Sequence, residues 1–224
     1  MVQEFLDFLL HIDTHLDAVL RQYGSATYGL LALVIFLETG FVVTPFLPGD
    51  SLLFAAGALA ARGTLDPVLL IVLLTVAAIA GDTVNYWIGT VVGPRVFRDG
   101  SRWFRNEHLD RAHRFYEAYG GITIVLARFL PVFRTFAPFV AGIARMTYWK
   151  FLAYNVSGGI AWVAAFTLGG YFFGNLPLVQ RNFAFVIAGI VVISLLPAVV
   201  EAVRHRIRAS SAGRARRAGH PPAD

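Results

Sequence analysis

Two stretches of this chain start like membrane helices and break halfway across. Thr27–Leu37 is eleven residues without a charge. Glu38 follows, then a segment holding Pro45, Pro48 and Gly49, then Asp50, and then eleven more uncharged residues, Ser51–Ala61. Eleven helical residues rise about 16 Å, half of a hydrocarbon core of roughly 30 Å. The pattern predicts a re-entrant hairpin over residues 27–61, reaching mid-membrane, turning at the prolines and returning to the side it came from. Open backbone at that depth is tolerated only where protein or a water-filled cavity covers it. A full span over Thr27–Leu47 is less consistent, because it strands the short 51–61 helix.

Composition supplies the membrane setting. Hydrophobic residues make up 57% of the 224 and charged residues only 15%, against roughly 25% charged in a soluble domain. Mean hydropathy is +0.62. These values exclude a soluble globular chain and a disordered one. There is no Cys, hence no disulfide framework, thiol catalysis or Cys-based metal site.

The second broken stretch is residues 120–145. An apolar arm leads to Arg128, Pro131 and Arg134, and an apolar exit containing Pro138 follows. This is the grammar of the first stretch, and each is followed by a long helix rich in Gly and aromatic residues. The halves read as a weak internal repeat. Paired broken helices in corresponding halves mark a transporter-type site at the repeat interface. Three plain spans are expected at 69–93, 151–173 and 183–200. The expected fold is thus an all-α polytopic membrane protein with two inverted re-entrant hairpins meeting near the midplane, plus about three full transmembrane helices.

Charge sets the orientation. With stretch 94–120 in the cytoplasm, fourteen basic residues fall inside: Arg95, Arg98, Arg102, Arg105, Arg111, Arg114, Arg145, Lys150 and six tail arginines. Outside fall Arg21, Arg62 and Arg181. The asymmetry indicates N-out, C-in. Residues 1–26 lack a basic leader and a cleavage site and read as an amphipathic surface helix. Residues 101–119 read as an amphipathic cytoplasmic stretch, and 204–224 as a disordered basic tail. The Arg-to-Lys ratio reflects codon usage, and in so apolar a chain the basic surface points to lipid and topology rather than nucleic acid.

Four ionisable residues sit where ions are costly: Glu38, Asp50, Arg128 and Arg134. One mid-membrane charge costs from about 2.5 to over 10 kcal/mol. Pairing between the two broken elements offsets that cost. The bland reading is a structural set of salt bridges tying the hairpins together. The functional reading draws on the adjacent broken backbone, which can hold an anion. Guanidinium forks match phosphate oxygens, so Arg128 and Arg134 would clamp a phosphate. Glu38 and Asp50 would carry protons, since burial and a nearby Arg act on a carboxyl in opposite directions. Asp82 and Tyr86 share a helix face. Asp82 is either a partner of the central arginines or a charge at the membrane edge.

Other signals are weak. His11 and His15 are four apart and His108 and His113 five apart, with no third metal ligand in view. No nucleophile elbow, phosphate loop or His-Glu-x-x-His is present, and nothing marks a hydrolase. The sequon at Asn155 lies at the start of a span.

Taken in order, Phe36-Leu-Glu38-Thr-Gly40 through Pro45-Phe-Leu-Pro48-Gly49-Asp50, Gly81-Asp82 with Tyr86 and Gly89, and Ala127-Arg128-Phe-Leu-Pro131-Val-Phe-Arg134-Thr-Phe-Ala-Pro138-Phe-Val-Ala-Gly142 with Asn155 and Gly158 resemble the DedA family of bacterial inner-membrane proteins. That family is related to the SNARE-associated, VTT-domain proteins of eukaryotes. The resemblance covers roughly residues 25–175. Ala127 departs from the Gly common before the arginine, without changing the chemistry. The resemblance implies proton-motive-force-linked transport or lipid translocation, with undecaprenyl phosphate as one substrate. It maps an essential acidic pair onto Glu38 and Asp50 and essential arginines onto Arg128 and Arg134, with Asp82, Tyr86 and Asn155 behind them.

The expected function is therefore proton-coupled flipping of a phospholipid or polyprenyl phosphate, undecaprenyl phosphate foremost. No cofactor, metal or nucleic acid takes part. A proton-coupled cation or drug antiporter and a non-transporting membrane-homeostasis scaffold are the alternatives. A lipid phosphatase ranks last, for want of a nucleophile. The Gly-rich face of 151–174 packs helices either within the fold or between protomers of a homo-oligomer.

Overall fold

The computed structural model describes residues 23–41, 49–98 and 106–174, with isolated positions 176, 177, 179, 186 and 189. Pro45, Pro48, the tail, and most of the N-terminal helix and of the 183–200 span lie outside the described residues. Those described are helical, with no strand among them. The helices are α1 (Ala26–Gly40), α2 (Gly49–Ala61), α3 (Pro67–Arg98), α4 (Asn106–Ala127), α5 (Pro131–Ile143) and α6 (Tyr148–Phe173).

Among the described residues, α3 and α6 alone are long and apolar enough to cross a membrane, through Pro67–Gly93 and Tyr148–Phe173. On α3, Val68, Val72, Val76, Trp87 and Val91 are exposed. Water would not tolerate so many bare apolar side chains on one element, whereas lipid would. The opposite extreme is α2, which is buried from Gly49 through Ala60.

The short helices distribute themselves between the two long ones in a crossed way. Helix α1 packs on α3 and α4 on α6, while α2 packs on α6 and α5 on α3. Glycines make the crossed contacts close. A Cβ at Gly57 would overlap the Thr167 carbonyl, and one at Gly170 the Phe54 carbonyl. In the other half, Gly142 lies against the Tyr86 carbonyl and Gly89 against the Phe139 carbonyl. Both crossings use one Gly from each helix, three residues after the carbonyl that meets the opposing Gly. Backbones that touch gain dispersion contacts that larger residues would prevent.

Two apolar clusters result. One gathers Leu31, Ile35, Leu53, Leu59, Leu70, Leu74 and Trp162 around α2. The other gathers Tyr86, Tyr116, Ile124, Ala141, Met146 and Phe151 around α5.

The structure departs from the sequence expectation at two places. Residues 106–127 form one continuous helix, so the surface stretch and the arm after Gly120 are not separate. Gly120 and Gly121 do not break it because an uncovered glycine still donates and accepts in the helix. They make room instead for Tyr116 and Met146 at one and the Tyr154 ring at the other. Second, Pro138 is not a break. It lies inside α5, where it costs one backbone hydrogen bond without ending a short helix packed closely on α3. The break falls at Arg128–Leu130, and Pro131 starts α5 at a position where proline's missing N–H costs nothing.

Candidate functional site

Five buried ionisable side chains, from five parts of the chain, lie in the interior: Glu38, Asp50, Asp82, Arg128 and Arg134. Each owes its position to a local feature. Glu38 stands in the last turn of α1 and Asp50 in the first turn of α2. Asp82 is on the buried face of α3 beside Gly81, whose bare Cα meets Thr39. Arg128 opens the three-residue turn after α4, and Arg134 lies one turn into α5.

Arg134 joins the two broken elements. One terminal nitrogen donates to Asp50 at 2.9 Å and the other to Glu38. Its guanidinium carbon lies 4.7 Å from the centre of the Trp162 ring, close enough for cation–π attraction. Trp162 in turn donates its indole N–H to Asp50 at 2.9 Å. Glu38 also accepts the Gly49 backbone N–H at 3.1 Å, so the first free donor of α2 is spent on a carboxylate at the positive end of its helix. A Cβ at Gly49 would strike that carboxylate.

Arg128 is held differently. A single nitrogen, Nη2, donates both to Asp82 and to Asn155. The Asn155 amide is itself fixed, donating to the Ile79 carbonyl at 3.1 Å and to the Thr83 hydroxyl at 3.4 Å. Arg128 Nε and Nη1 meet no partner among the described residues, nor does Arg134 Nε. Glu38 Oε2 and Asp82 Oδ1 are likewise unpartnered. Unmet donors and acceptors buried this deeply are costly.

Asn85 stitches the two breaks together, donating to the Thr39 carbonyl at 3.2 Å and the Thr135 carbonyl at 2.7 Å. Beside the centre, Ala127, Phe133, Phe136, Ala137, Val140, Tyr116 and Thr123 line a groove of about 290 Å³ between α4 and α5.

The four charges expected to meet are therefore brought together, and Asp82 is a partner of an arginine, not an edge charge. Asn155 joins them. Tyr86 does not: its hydroxyl donates to the Met146 carbonyl at 2.5 Å and its ring stacks on Phe151. Trp162, Asn85 and Gly158 take part in or border the centre. The sequence signalled Asn85 and Trp162 only as a polar and a bulky residue in membrane helices, and Gly158 only as part of the family resemblance. Among the described residues no group of three metal-ligating side chains occurs. His11 and His15 lie outside them.

At the polar edge of α6, Glu117 accepts the Thr147 backbone N–H at 2.8 Å and faces Lys150 at 3.5 Å. The Thr147 N–H, aided by the ammonium, holds its carboxyl below the ordinary 4.5. Arg145 adopts φ of 52° where the chain leaves α5, with the Met146 N–H donating back to the Ala141 carbonyl.

A family model described as the VTT domain matches residues 47–172. It spans every charge of the centre except Glu38. The chain is 52% identical to Protein DedA of Escherichia coli K12, over 96% of this chain and 99% of that one. It is 44% identical to the uncharacterized membrane protein Rv0364 of Mycobacterium tuberculosis H37Rv, over 81% of each. It is 34% identical to the inner membrane protein YqjA of Escherichia coli K12, over 67% of this chain and 69% of that one. No solved structure matches.

Proposed function

The chain belongs to the DedA family of VTT-domain membrane proteins, and on that premise we propose that it flips a phosphate-bearing lipid, undecaprenyl phosphate foremost, across the bacterial inner membrane with proton coupling. One observation carries the reading. Two fully buried arginines, at the break of the second hairpin and just beyond it, are held by carboxylates while three of their nitrogens lack partners. Guanidinium donors arranged so are suited to phosphate oxygens.

Charge supplies the coupling. A phosphate that reaches the centre adds negative charge where Glu38 and Asp50 already share the Arg134 guanidinium. The two carboxylates cannot both stay ionised in so apolar a setting, so one takes up a proton. On the opposite face the phosphate and the proton leave together. The lipid tail stays in the bilayer along the groove between α4 and α5. Helices α1 with α2 and α4 with α5 act as opposed re-entrant hairpins in an N-out, C-in arrangement. No chemical step is involved, and the protein is a transporter rather than an enzyme. The inner-membrane location agrees with the printed name of one relative.

Purified full-length protein in liposomes tests this. Labelled undecaprenyl phosphate is followed across the bilayer, with and without a pH gradient, for wild type and Arg128→Ala. Movement that needs Arg128 and responds to the gradient is expected. Movement indifferent to the gradient removes the proton role. Folded protein that moves neither this lipid nor ordinary phospholipids overturns the reading.

The centre's three carboxylates against two arginines favour a second reading, a proton-coupled antiporter of cations or cationic drugs. Cation-dependent proton flux in the same liposomes without lipid movement would establish it.

A further inference from the structure

Resting on the lipid-phosphate reading, we infer that the two arginines divide the work: Arg128 seats the phosphate, and Arg134 remains the internal counter-ion of Glu38 and Asp50. The asymmetry is in their partners. Arg134 has both terminal nitrogens committed to carboxylates, one face covered by the Trp162 ring, and only Nε left over. Arg128 has one terminal nitrogen committed, to Asp82 and Asn155 together. Its Nε and Nη1, which carry three N–H bonds on the two flanks of Nη2, meet nothing among the described residues. Each is a charge-assisted donor for a phosphate oxygen.

Two further features agree. First, charge: around Arg134 two carboxylates face one guanidinium, whereas Arg128 and Asp82 balance one to one. An incoming anion meets less repulsion at Arg128. Second, space: α6 passes Arg128 with Gly158 and Gly159. A Cβ at Gly158 would lie 3.5 Å from Nε and one at Gly159 3.6 Å from Nη1. Two residues without side chains keep a Cβ from standing against these nitrogens. Asp82 and Asn155 are positioning residues. By gathering their bonds on Nη2 they leave Nε and Nη1 uncommitted.

The test measures binding of geranylgeranyl phosphate to the full-length protein in nanodiscs, alongside transbilayer movement of undecaprenyl phosphate in liposomes. Loss of a charge-assisted pair corresponds to about tenfold or more in affinity. Arg128→Lys is expected to weaken binding by that factor. Arg134→Lys is expected to bind within about twofold of wild type while its movement slows and shifts in pH dependence. If either fails to fold, two charge-preserving variants decide. Asn155→Ala, which frees Arg128 to turn, is expected to weaken binding several-fold with the pH profile of movement unchanged. Trp162→Phe, which touches only the Arg134 side, is expected to leave affinity unchanged and to shift that profile. Equal losses on the two sides, or losses confined to the Arg134 side, overturn the division of work. Wild-type protein that binds no polyprenyl phosphate overturns the functional reading itself.

Discussion

Trp162 and Arg134 meet on one oxygen: the indole N–H and the guanidinium both donate to Asp50 Oδ1 at 2.9 Å. The ring also lies against the guanidinium. One α6 side chain thus braces an ion pair between α2 and α5. Trp162→Phe keeps the ring face but removes the N–H. Stability is expected to fall by about 1.5–3 kcal/mol, the cost of one hydrogen bond to a charged group. Denaturant unfolding in detergent checks it.

Asn85 is the amide that spans the two breaks. Asn85→Ala withdraws donors from the Thr39 and Thr135 carbonyls. The expected loss is about 2–3 kcal/mol, because buried acceptors are left bare. Asn85→Leu, of similar size, is expected to cost at least as much. A loss below about 0.5 kcal/mol would mean that water reaches these carbonyls.

The crossed glycine contacts give a steric prediction. Gly170→Ala drives a methyl into the Phe54 carbonyl, and overpacking of this kind costs about 1–3 kcal/mol. Gly169→Ala, whose Cβ would lie 4.0 Å from the Phe54 ring, is expected to be neutral or slightly stabilising, since alanine favours helix. Thermal melts of the two variants should separate clearly.

The Glu117 junction gives a pH dependence. Its carboxyl is held below 4.5 by the Thr147 N–H, so folding favours the ionised form. The stability it adds is full above that ordinary value and is lost as pH falls through the depressed folded value. The difference between wild type and Glu117→Gln is therefore expected to be constant at neutral pH and to shrink below about pH 4.5. A difference that grew on acidification would contradict the assignment.

Much of the centre was legible because ions in an apolar sequence are conspicuous. Glu38, Asp50, Arg128 and Arg134 stand out against uncharged neighbours, and their pairing follows from the cost of leaving them apart. The choice for Asp82 was not legible. Spacing put it on a face with Tyr86, but only the packing of α6 shows that this face meets Arg128 at one point and Met146 at another. Trp162 and Asn85 were hidden for a related reason. An aromatic or an amide in a membrane helix has many bland uses, and its hydrogen-bond partner lies 112 residues away for Trp162 and 46 and 50 away for Asn85. Pro138 misled because proline ends helices in water, whereas a helix gripped along its length by a neighbour keeps its course through one missing bond.

The exchange of short helices between the two long ones bears on assembly. Helix α2, made early, has its main partner in α6, the last described helix, while α5 returns to α3. Neither half of the chain owns the surface it needs, and Glu38, Asp50 and Asp82 meet the arginines of the centre only when the second half arrives. A chain severed between α3 and α4 would yield two fragments that gain structure only when both enter the same membrane. Until translation passes Arg134, the buried acids of α1 and α2 have no cation to ionise against and must be inserted neutral.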